Sequence, residues 1–183
     1  FNKILLTSFI SASLILTACT EKKTTDSTQK SAEAQPSVSS GNWQAKASEL
    51  SSINGTDIKA DLTQLNLIVN QSNHQATQLR DEAQSLAQDP DKLKAVLSQS
   101  NDIQKQTQEQ IMGLMLKSAE VQDIRTQMID SLMISQKLFE LSTATGFNMT
   151  TPSDEFKQLA QRSMATQQKI SAELDALNKQ YAQ

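Results

Sequence analysis

The sequence predicts an all-α protein, an antiparallel helical bundle with coiled-coil-like packing, and three observations lead there. Aromatic residues make up 4% of the chain, and glycine and proline number 4 and 3, too few for the turns and pleated surfaces of a sheet protein. From Ile58, apolar or small residues alternate spacings of four and three through Leu62, Leu65, Val69, Ser72, Ala76, Leu79, Ala83 and Leu86, the period of a coiled-coil seam. Between Ile111 and Leu141, apolar residues cover well over half of a helical wheel, as in a helix packed from more than one side.

The chain opens on an export leader. Residues Ile4 to Ala18 are apolar or small and follow Lys3, which gives the charged start, apolar middle and small-residue boundary of a signal peptide. The run is too short to span a bilayer comfortably as a permanent helix. It closes on Leu16-Thr17-Ala18-Cys19, and Cys19 is the single cysteine of the chain. This stretch resembles the lipobox of bacterial lipoproteins, and the resemblance covers this segment alone. It implies a diacylglycerol on the Cys19 sulfur, removal of residues 1–18, and acylation of the new amino terminus. Each buried methylene contributes about 0.8 kcal/mol, so two or three acyl chains hold firmly where one does not. In Gram-negative lipoproteins Asp after the cysteine usually retains the protein at the inner membrane; Thr20 stands there instead, which implies the outer membrane, on its periplasmic or surface side. The competing readings are an ordinary signal peptide that happens to hold a cysteine, and an uncleaved anchor.

From Thr20 to Asn42 the chain is built of Thr, Ser, Lys, Glu, Gln, Ala and Gly, with Val38 its one aliphatic residue larger than alanine. Such a stretch cannot bury enough apolar surface to offset the entropy of ordering, so residues 19–42 are expected to be a lipidated cysteine and a flexible tether. As a coil it spans about 25 to 30 Å. Residues 43–183 form the expected bundle domain. Trp43, Ala47, Leu50 and Ile53 suit a short amphipathic N-terminal helix that Asn54-Gly55 ends, with Trp43 plugging one end of the core. The Ile58 seam, capped by Thr56, predicts a helix of about 32 residues.

Asp89-Pro90 supplies a cap and a first-turn proline, which predicts a tight reversal and an antiparallel second helix. Its pattern runs through Val96, Leu97, Ser100, Ile103 and Thr107 into the apolar stretch and on to about Ala144. One long middle helix continuous through Gly113 is expected, giving three long helices plus the short N-terminal one; the alternative is a four-helix bundle broken near Gly113. Lys117, Glu120, Asp123, Arg125 and Asp130 exclude a membrane span and are expected to form a solvated face. A stop at Thr145-Gly146 and a start around Pro152 and Ser153 precede a last seam from Phe156 through Leu159, Ser163, Thr166, Ile170, Glu173 or Leu174, and Leu177 to Tyr181.

Chemistry is sparse. The net charge is −3, with no basic footprint for nucleic acid. His74, the one histidine, lies off its seam and is expected to face solvent. No Glu-x-x-His pair, Gly-rich phosphate loop or nucleophile motif is present, so neither an enzyme nor a bound cofactor is expected. Met112, Met115, Met128, Met133, Met149 and Met164 offer thioethers to a soft metal such as Cu(I), but they stand at core-like positions and are expected to fill the core. Two functions remain. One is a membrane-anchored envelope lipoprotein whose helices act as a non-enzymatic scaffold or adaptor for another envelope protein. The other is a binding module for a small apolar molecule or soft metal, motivated by Ser72, Ser100, Ser163 and Thr166 interrupting the seams. Homo-oligomerisation through leftover coiled-coil surface is compatible with both.

Overall fold

In the computed structural model the described residues are 41–86, 89–148 and 150–182. The leader, the lipobox with Cys19, most of the tether and Met149 lie outside them. The described chain is all-helical: α1 (Gly55–Ser85), α2 (Pro90–Met112), α3 (Ala119–Thr143) and α4 (Asp154–Tyr181) follow a single 3-10 turn at Ala47–Glu49.

Residue chemistry at the helix ends explains the boundaries. The Asn54 side chain accepts from the Thr56 and Asp57 amides, so Asn54 and not Thr56 caps α1. The Asp89 side chain accepts from the Lys92 amide ahead of Pro90, and Ser153 accepts from Phe156. Each such cap satisfies a donor that the first helical turn leaves free. Gly146 takes a positive φ of 85° in the α3–α4 reversal, a conformation that costs glycine little.

Along α1, Ile58, Leu62, Leu65, Val69, Ser72, Ala76, Leu79 and Ala83 are all buried, as their spacing predicts. Ser72 meets Thr107, and Leu79 and Ala83 cluster with Val96, so α1 and α2 run antiparallel. Asp130 meets Arg162 and Gln127 meets Glu173, which makes α3 and α4 antiparallel as well. Asn66 bonds to Asn178, and Gly55 faces the Tyr181 ring. The end of α4 therefore returns beside the start of α1.

Three apolar clusters result. The largest joins α1 (Ile58 to Val69), Ile111, Leu116, α3 (Val121 to Leu132) and α4 (Ile170, Leu174), with Trp43 packed against it. Smaller clusters sit within the α1–α2 hairpin and, around Ile134, Leu138 and Phe156, within the α3–α4 hairpin. Between them the interior is polar: Ser72, Ser100, Asn101, Gln104, Ser131, Ser135 and Ser163 are buried.

Two expectations are corrected. The middle helix is not continuous: α2 ends at Met112, and residues 113–118 form a connector before α3. The expected N-terminal helix shrinks to the one 3-10 turn, because residues 42–51 give their backbone groups to the connector and to α3. Both follow from the same cluster of side chains.

Candidate functional site

The connector is held open by side chains that replace its helical hydrogen bonds. Gly113 and Leu114 still donate backward, to Glu109 and Ile111. Beyond them, Leu116 N–H donates to Asn42 Oδ1 at 2.9 Å. Lys117 N–H and Ser118 N–H both donate to Asp61 Oδ2, at 2.8 and 2.7 Å, and Ser118 Oγ adds a third bond at 2.7 Å. The carbonyls are met too: Leu114 O by Arg125 Nη1, Leu116 O by Asn42 Nδ2, and Lys117 O by the Ser51 amide. Buried backbone polar groups must find partners, and a segment offered enough of them elsewhere can leave the helix.

Asp61 and Arg125 are the ionic heart of this arrangement, and both are fully buried. Asp61 projects from α1 beside the Ile58–Leu62 seam and stands at the N-terminus of α3, where a carboxylate complements the helix dipole. Its Oδ1 has no hydrogen-bond partner. Arg125 projects from α3 and donates through Nε to Gln122 Oε1 at 2.7 Å and through Nη2 to the Asn42 carbonyl and Oδ1, at 2.8 and 2.9 Å. A further short bond joins Nη2 to Gln122 Oε1. Burial pulls its pKa down to about 10, and the nearby Asp61 charge opposes that fall. The guanidinium therefore stays charged at neutral pH.

A strap, residues 41–53, lies over this pair. Gln122 Nε2 donates to the Trp43 and Ala45 carbonyls, and Ser51 forms a parallel bridge with Ser118. Gly41 is pressed so close that a Cβ there would come within 2.2 Å of the Met112 carbonyl oxygen. Composition groups Gly41 and Asn42 with the tether; in the fold they are seated on the connector. At the other end of the strap Ile53 adopts φ 58°, strained for a β-branched residue. Its amide is held by Glu120 Oε1.

The residues singled out from sequence are distributed differently. His74 is exposed. Met128 is fully buried, Met112 partly so, whereas Met115, Met133 and Met164 are exposed; the expectation that the methionines fill the core is corrected for these three, because they fall on the outward side of their segments. Arg125 is likewise not part of a solvated face. Ser72, Ser100 and Ser163 are buried and Thr166 half-buried. Among the described residues no three His, Cys, Asp or Glu side chains are grouped to hold a metal, and no helix is long and apolar enough to cross a membrane.

Buried charged side chains from α1 and α3 that hold the connector and strap define a helical domain whose charged interior groups serve main-chain positioning. Residues 59–182 match the profile of the family described as uncharacterised lipoprotein PM1805, and the chain belongs to that family. No curated protein and no solved structure matches it.

Proposed function

We propose that this lipoprotein is anchored through acyl chains on Cys19 in the outer membrane of a bacterial envelope, and that its antiparallel four-helix bundle acts as a non-enzymatic scaffold or adaptor for another envelope protein. The lipoprotein family supports the anchor; Leu16-Thr17-Ala18-Cys19 and Thr20 supply its position and address. One observation carries the scaffold reading. The buried charged side chains Asp61, through Oδ2, and Arg125 bond to the connector and strap backbone, an arrangement that fixes the shape of this end of the bundle. The soft-metal alternative has less support, since one thioether is buried and three are on the surface.

The test is crosslinking and capture from intact envelopes, comparing the native protein with Cys19→Ala. The reading expects one envelope protein captured by the lipidated form and lost or reduced with Cys19→Ala. No captured protein in either form, together with a small molecule or copper retained by the purified domain in mass spectrometry, would overturn it.

A further inference from the structure

We propose that the groove beneath the strap is an exchangeable interface, and that its second occupant is the 41–53 strap of another copy of this chain. The groove is built by the connector, Gln122 and Arg125, and it offers donors: the guanidinium, the Gln122 amide and the Leu116 N–H. The strap answers with acceptors, the carbonyls of Asn42, Trp43 and Ala45 and the Asn42 Oδ1. That complementarity is between strap and connector, and nothing in it requires the two to belong to one chain. The strap carries one cation and one carboxylate, Lys46 and Glu49, so the exchanging segment is itself neutral.

The hinge is also marked. The strap runs into α1 through residues 52–54, where the Ser51 hydroxyl also donates to Asp57 of α1, and Ile53, held at positive φ, is 81% exposed, so no packing supports its strained conformation. Strain of this kind persists only where the surroundings impose it. Here the imposed contacts are the Glu120 carboxylate bonds to the Ile53 amide and the Ser52 hydroxyl. Opening the hinge releases the Glu120 bonds and lets Ile53 relax into extended backbone, while reinsertion into a neighbour restores the bonds that Asn42, Trp43, Ala45 and Ser51 make to the connector, Gln122, Arg125 and Ala119, the usual route to a swapped dimer.

The experiment uses two full-length copies with different tags, both carrying Cys19→Ser so that no native thiol remains. One carries Ser51→Cys and the other Ser118→Cys, the two positions of the parallel bridge. Under mild oxidation a mixed disulfide dimer is expected to accumulate with time, and Ile53→Asn, which tolerates positive φ, is expected to slow it by about fivefold or more. A single chain with both cysteines that closes on itself, while the mixed dimer never forms, overturns the proposal. A thiol-free version mixes two tagged copies with the native Ser51 and Ser118 and follows co-capture. Absence of co-capture, or co-capture at a rate that Ile53→Asn leaves unchanged, overturns it equally.

Discussion

Removing the Asp61 carboxylate is the sharpest perturbation of this fold. Asp61→Ala leaves two buried backbone N–H groups and the Ser118 hydroxyl without their acceptor, and it leaves Arg125 buried without the charge that faces it. Each unsatisfied buried donor costs on the order of 1 kcal/mol or more, and the buried guanidinium, which bonds to Gln122, Asn42 and Leu114 and not to Asp61 itself, loses a nearby favourable charge in addition. Because these terms overlap, a total loss of about 3–5 kcal/mol is expected, a large part of the stability of an ordinary domain. Asp61→Asn keeps an acceptor of the same shape and loses only the charge, so a smaller loss of about 1–2 kcal/mol is expected. Urea titration of helical circular dichroism measures both, and the alanine variant should also lower Tm by about 10 °C or more. An alanine variant within about 1 kcal/mol of wild type would refute the reasoning, because the connector would then be held open by something other than this carboxylate.

Other perturbations have calculable outcomes. Gly41→Ala forces a Cβ against three backbone atoms, at 2.2, 2.5 and 2.6 Å; the strap is expected to lift, and hydrogen–deuterium exchange at the Leu116 amide to quicken by about tenfold or more. Ser72→Ala should cost less than about 1 kcal/mol, since Thr107 keeps its bond to the Ile103 carbonyl, and adding Thr107→Val should bring urea stability back toward wild type because both partners are then apolar. The Arg162–Asp130 pair is made by half-exposed side chains, so Asp130→Ala is expected to change stability by no more than about 1 kcal/mol, and less in high salt.

The parts of the fold that sequence revealed are those decided locally. The four-and-three spacing of α1 needs only its own residues to predict which side is buried, and Asp89-Pro90 and Ser153 act on the first turns that follow them. The break at residues 113–118 is decided at long range. Its amides are taken by Asp61, 56 and 57 residues away, and by Asn42, 74 residues away, and no composition window around Gly113 contains those partners. A signal for the site did exist. Val121, Arg125, Met128 and Leu132 recur at spacings of four, three and four, which puts a charge on a core-facing stripe, and Asp61 lies one turn from Ile58 on the seam side. A charge at a seam position asks for a buried partner. Reading Arg125 with the neighbouring Lys117, Asp123 and Asp130 as one solvated face hides that signal.

The uneven interior has a mechanical consequence. The large apolar cluster ties both hairpins together at the end where the strap enters, while towards the two reversals each hairpin keeps its own small cluster and the space between is lined by hydroxyls and amides. Such a molecule is expected to open like tongs about a stiff pivot, first at the reversals and least at the pivot, which hydrogen–deuterium exchange would read as amide protection rising along α1 from Ala83 to Ile58.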